Sequence, residues 1–112
     1  MLILPIKKKW FDMILSGEKE EEYREIKPYY TTRFVNAGLL EHTFNKNCTA
    51  PTYNRTVVMF RNGYSSNSPS FIATVTLDIG TGKPEWGAEE EKNYYIMKIC
   101  DIEPKAESED KE

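Results

Sequence analysis

The sequence predicts an α+β domain with a small curled sheet or barrel and one or two helices. Three observations carry this. Phe71, Ala73, Val75, Leu77 and Ile79 alternate with Ile72, Thr74, Thr76 and Asp78, the period of a half-buried strand. Trp10, Met13 and Ile14 fall on one helical stripe, with Lys7, Lys8 and Asp12 outside it. The order of patterns along the chain is strand, helix, strand, helical stretch, then about three strands.

Residues 2–6, LILPI, read as an opening strand with Pro5 at an edge or an end. Lys7 to Ser16 follows as a helix, and Gly17 is placed as the left-handed residue that stops it. Residues 20–26, EEEYREI, are expected to be extended. Their glutamates prefer helix, but the Gly17 stop and the Lys27-Pro28 boundary outweigh that preference. From Pro28 to Phe44 one or two helical turns are expected to carry Tyr30, Phe34 and Leu39 inward, and 45–55 is expected to be a polar loop. Thr56–Arg61 is an apolar run rich in β-formers, hence a buried strand closed by the Asn62-Gly63 turn. Phe71–Ile79 is the next strand, residues 80–93 are a turn-rich connection, and Tyr94–Ile102 is the last strand. The tail 104–112 is too polar to pack and is expected to be disordered, leaving residues 1–103 as one domain.

A chain of 112 residues with 39% hydrophobic content suits one modest core. No apolar stretch approaches the roughly 20 residues of a membrane span, and MLILPIKKKW has its lysines on the wrong side for a secretory signal. A cytoplasmic protein with no membrane partner is the expectation. Cys48, expected in a loop, Cys100, expected in a core strand, and the lone His42, expected at the surface or half-buried, cannot supply a four-ligand zinc site. No metal and no cofactor are expected. The net charge of −3 hides a gradient: residues 1–33 carry +1, 34–62 carry +2, 63–103 carry −4 and the tail −2. Such a chain is not a bulk nucleic-acid coat; any polyanion would be held at a local site.

The strand expected at 20–26 directs Glu20, Glu22 and Arg24 to one side and Glu21, Tyr23 and Glu25 to the other. Neither face is apolar apart from Tyr23, so the strand is either an exposed edge or one wall of a polar cleft. If Glu22 and Arg24 face inward, an unpaired charge would cost several kcal/mol out of the roughly 5–15 kcal/mol that holds a domain together. They must then pair with each other, with Lys19 or with a ligand. A carboxylate fixed beside two cations suits a base edge or amide with a phosphate alongside.

The run Gly17-x-Lys19-x-x-Glu22-x-Arg24 resembles the GxKxxExR signature of the ASCH domain family. The preceding KKKWFDMILSGEK is similar to that family's opening unit. EEYREIKPYY, FRNGY, GKPEWGA and YYIMKI are similar to a subgroup of small stand-alone members common in bacterial and phage genomes. The likeness spans about residues 3–103 and implies a PUA-like β-barrel whose signature cleft binds RNA, a nucleotide or a modified nucleoside. It also implies an alternative, because some members are hydrolases: an amidohydrolase of acetylated cytidine, and proteins with ribonuclease activity. In the amidohydrolase-like members the lysine is followed three positions later by a threonine nucleophile, whereas this chain has Glu22 there.

Lys19, Glu22 and Arg24 are therefore the expected ligand-binding residues, with Lys19 and Glu22 catalytic if the protein is an enzyme. Lys19, if desolvated, would act as base and Glu22 would polarise water. Tyr29, Arg61, Tyr64 and Trp86 are expected as accessory ligand contacts: Tyr29 for stacking, Arg61 and Tyr64 at a strand end and turn, Trp86 for stacking or for pinning its loop. Lys7, Lys8 and Lys9 read as a solvated face that could touch phosphates. A protein-interaction module is the third reading, and the sequence leaves the oligomeric state open.

Overall fold

A computed structural model describes residues 1–45 and 47–103. The elements run β1 (Leu2–Pro5), α1 (Lys8–Leu15), β2 (Glu21–Glu25), α2 (Pro28–Asn36), β3 (Leu40–His42), β4 (Thr49–Pro51), β5 (Thr56–Arg61), β6 (Ser70–Thr81), a 3-10 turn (Pro84–Trp86) and β7 (Asn93–Glu103). The result is an α+β fold with a curled five-stranded sheet of order β1-β5-β6-β7-β2, parallel at β1–β5 and antiparallel elsewhere. No helix among the described residues is long and apolar enough to cross a membrane. The expected tail, 104–112, lies outside the described residues.

The curl follows from strand lengths. β6 has twelve residues; its first half pairs with β5 and most of its length pairs with β7, whose first half in turn carries β2. A long twisted strand shared in this way bends the sheet towards closure. The two edges, β1 and β2, meet through a side chain: Arg24 Nη2 donates to the Pro5 carbonyl at 2.8 Å. The concave face is filled by Leu4, Val58, Phe60, Phe71, Val75 and Leu77, with Ile14 of α1 and Phe34 of α2 packed over it.

Both helices stop by the same device. Gly17 (φ +87°) and Gly38 (φ +84°) adopt the left-handed conformation that glycine tolerates best. After Gly17 the Lys19 amide donates to Met13 O at 2.9 Å, and after Gly38 the Leu39 amide donates to Phe34 O at 2.9 Å. Lys19, two residues after the first glycine, and Leu39, directly after the second, are buried.

Three expectations need correction. Residues 40–42 and 49–51 pair as the antiparallel hairpin β3–β4, where helical turns and a polar loop were expected. Cys100 is exposed, because β6 and β7 change register between Thr74 and Val75. Val75 faces Ile99 and Thr74 faces Asp101, leaving Cys100 as the extra residue of a bulge. Ile79 is exposed because β5 ends its pairing with β6 at Val75 and the core does not extend that far.

Gly82 is required by close approach. A Cβ there would lie 2.6 Å from Tyr23 Cζ and 2.8 Å from Ala88 Cβ. Gly82→Ala is expected to destabilise the domain by about 1–3 kcal/mol, the usual cost of overpacking, measured as a shifted urea midpoint with an unchanged slope.

Candidate functional site

The signature residues form one buried ionic group. β2 is wedged against β7, so Glu22 and Tyr23 are both buried despite facing opposite ways. Lys19, with a fully buried side chain, lies 3.2 Å from Glu22 Oε1, while Arg24 Nη1 pairs with Glu22 Oε2. The geometry meets the requirement set by the cost of an isolated buried charge: each ion has its partner.

Lys19 is wholly engaged. Its amine donates to Glu21 O at 2.5 Å and Trp86 O at 2.8 Å and pairs with Glu22 Oε1, which uses all three of its N–H groups. It sits between the rings of Trp10 and Tyr23, at 5.0 and 4.8 Å from their centroids. Burial pushes the Lys19 pKa below its ordinary value, and the Glu22 carboxylate opposes that shift. Burial also raises the Tyr23 phenol, whose hydroxyl donates to Glu21 Oε1 at 2.8 Å and accepts from the Lys83 amide at 3.0 Å. Lys19 and Tyr23 thus pin the 82–88 loop to β2.

Arg24 faces the other way. Besides Glu22 it donates to Tyr23 O at 3.0 Å and Pro5 O at 2.8 Å, with its guanidinium 5.8 Å from the Tyr30 ring centroid. Three of its five N–H groups are used, and Glu22 retains lone pairs on both oxygens. Acceptor and donor therefore stand side by side along one cleft.

That cleft runs where the sheet edges approach. Two adjoining hollows of about 510 and 630 Å³ share Lys7, Trp10, Glu22, Tyr23 and Arg24. The first is bounded by Pro5, Ile6 and the turn Asn62–Tyr64, the second by Glu25, Lys27, Tyr30, Trp86, Gly87 and Tyr94. Asn62 Nδ2 donates to Ile6 O at 3.1 Å, which fixes the turn to β1 and leaves Tyr64 standing out at the rim. Gly87, with φ +104°, brings the loop against Trp10, where a Cβ would lie 3.0 Å from Cζ2. Lining cations (Lys7, Arg24, Lys27) exceed lining anions (Glu22, Glu25) by one, in a chain of net charge −3. Hydrogen bonds from Lys92 and Lys27 hold the Glu25 carboxyl below its usual range, so it stays charged at the far end.

Of the expected site residues, Glu22, Arg24, Tyr64 and Trp86 line the cleft, and Lys19 lies behind it as a positioning residue. Tyr29 and Arg61 line neither hollow. Tyr29 is exposed on α2 with the Arg33 guanidinium 3.6 Å from its ring centroid. Arg61 extends from the end of β5, with Nη2 3.7 Å from Met59 Sδ. Sequence reasoning assigned Trp10 to the core stripe, yet it lies on the cleft wall; Lys7, Lys27 and Tyr30 are further lining residues. Of these, Lys7 carried a signal, as one of three lysines able to touch phosphate, while Tyr30 was expected to pack inward. No family model, curated protein or solved structure matches the chain.

Proposed function

We propose that the chain is an ASCH-type, PUA-like domain that binds RNA or a nucleotide-sized ligand in this cleft. The observation that carries the reading is the pairing, in one hollow, of a half-satisfied Glu22–Arg24 couple with the aromatic rings of Trp10, Tyr30 and Trp86 and a cationic excess. Arg24 and Lys7 hold anionic oxygen, Glu22 accepts from a base or amide N–H, and an aromatic ring supplies the stacking face. Lys19 serves by holding Glu22 and the Trp86 loop in place. The resemblance of the signature to the ASCH family supports the same class of ligand.

The hydrolase reading asks Lys19 to accept a proton from substrate or water. Its three N–H groups already point at three acceptors, and among the described residues that line the cleft there is no Ser, Thr or Cys. Binding without turnover is the better fit. A panel of N4-acylated cytidines and a labelled RNA would expose turnover; product formation lost in Lys19→Ala would favour the enzyme.

Three phosphate contacts, from Lys7, Arg24 and Lys27, give a log–log salt slope of roughly −2 on single-stranded RNA. Lys7→Ala, at an exposed position, is expected to bring the slope to about −1.4 with the fold intact. A flat response in the wild type would instead indicate a protein partner or a neutral ligand, and equal slopes in both proteins would remove Lys7 from the site.

A further inference from the structure

Between Glu25 and Asp78 the chain holds one acid, Glu41, against five bases (Lys27, Arg33, Lys46, Arg55 and Arg61), although it has 18 acids in all. The same segment carries all the exposed aromatic side chains among the described residues: Tyr29, Phe44, Tyr53 and Tyr64. Tyr64 stands at the cleft rim, but the others line neither hollow. Tyr29 lies against the Arg33 guanidinium at 3.6 Å and Tyr53 has its hydroxyl 3.5 Å from Asp78 Oδ1, whereas no ring contact or hydrogen bond among the described residues engages the ring of Phe44. A segment that interleaves bases and aromatics with few acids has the residue types that a single-stranded polynucleotide recognises.

The hairpin β3–β4 carries the most exposed of these rings. It forms a sheet of its own and is anchored at its foot, where Thr52 Oγ1 donates to Gly38 O at 2.7 Å and the Thr52 amide to Leu39 O at 3.0 Å. Its tip is a built turn. The Thr43 amide donates to Cys48 O at 3.0 Å, Thr43 Oγ1 to Asn45 O at 2.7 Å, and the Asn47 amide to Asn45 Oδ1 at 3.1 Å. Phe44 projects from this tip fully exposed. The hydrogen-bonded turn holds the backbone that presents this large apolar ring, so burial against a ligand has only the side chain to order.

We infer that the ligand is a single-stranded RNA several nucleotides long, and that the β3–β4 hairpin is a second contact at which Phe44 stacks on a base. The inference rests on the nucleic-acid reading of the cleft and narrows it from nucleotide to polynucleotide. β5 joins the two places: it begins just beyond the hairpin foot at Thr56 and ends at Arg61, beside the cleft turn. Six residues of strand span about 20 Å from the hairpin foot to the cleft turn, and the tip with Phe44 lies up to about 15 Å beyond the foot. That separation is within the reach of the roughly 4–16 nucleotides that an OB fold engages.

The test titrates wild type, Phe44→Ala, Phe44→Tyr and Phe44→Leu with a mononucleotide and a single-stranded 12-mer RNA of mixed sequence, with thermal melts on each variant. One stacked base corresponds to roughly 5- to 150-fold in affinity. Phe44→Ala is expected to weaken the 12-mer by that factor, leave mononucleotide affinity and melting unchanged, and be rescued by tyrosine but not by leucine. Unchanged 12-mer affinity in Phe44→Ala overturns the hairpin contact while leaving the cleft reading standing if Arg24→Lys still weakens binding. Rescue by leucine as fully as by tyrosine overturns stacking as the contact that Phe44 makes. Binding of neither RNA nor nucleotide by wild type sinks the cleft reading and this inference with it.

Discussion

Glu22→Ala lowers the stability of the domain by about 3–5 kcal/mol, the cost of removing one partner from a buried ionic group. Glu22 is the only member that touches both others. Without it Lys19 keeps two carbonyls and no counter-ion, at a side-chain exposure of 0%, and Arg24 is left with carbonyl acceptors alone at 10%. Since a domain has roughly 5–15 kcal/mol in total, the variant should be found partly unfolded at modest urea. A second variant separates charge from packing. Replacing the pair together, as Lys19→Met with Glu22→Gln, removes the stranded ammonium and is expected to recover part of the loss. A midpoint in Glu22→Ala within 1 kcal/mol of wild type would mean that solvent reaches the group and that the burial described for it is wrong.

Lys19→Met is the second large effect, smaller in stability and sharper in location. Methionine retains the apolar stem between Trp10 and Tyr23, and Glu22 keeps Arg24, but the carbonyls of Glu21 and Trp86 lose their donor. An unsatisfied buried acceptor costs about 1–3 kcal/mol, so two would cost roughly 2–6 kcal/mol, and removal of the desolvated ammonium brings the expected total to the lower part of that range. The amides of Trp86 and Ala88, which donate within the 82–88 loop, should exchange with solvent faster than those of β6. Ligand affinity should fall with the loosening of this wall although Lys19 touches no ligand. The pH dependence supplies an independent check. Burial lowers the Lys19 pKa in the folded state, so the unfolded chain binds more protons between that value and the ordinary 10.5. Stability contributed by this group therefore rises with pH across that window and is lost as pH falls through the folded-state pKa. Lys19→Met should abolish this alkaline rise; persistence of the rise would assign it to another group.

How far such features can be read from sequence depends on whether their causes are local. Thr56–Arg61 and the alternation from Phe71 to Leu77 are legible because burial on a sheet imposes period two on neighbouring residues. The charged strand at 21–25 is legible against its own propensity because a glycine stop and a proline boundary enclose it. The hairpin at 40–42 and 49–51 is not, since three-residue strands show no alternation and Pro51 argues against one. Cys100 was misplaced by a bulge, a one-residue offset set by the partner strand. At the site, the cost of buried charge requires Glu22 and Arg24, if they face inward, to pair with each other, with Lys19 or with a ligand, and the structure has Glu22 paired with both Arg24 and Lys19. That cost does not say which of them lines the cleft, because an acceptor that holds Lys19 behind it is the carbonyl of Trp86, 67 positions along the chain.

The meeting of β1 and β2 through a guanidinium has a consequence for solubility. An open sheet offers unpaired backbone at both margins, a template on which a second chain can grow. Here the two margins face one another, and the approach to them is set with Lys7, Glu22 and Arg24. An incoming peptide would have to displace Arg24 from Glu22 and the Pro5 carbonyl and strip water from Lys7 to reach the amides it needs. The charges that line the groove thus make it a poor template for a further strand.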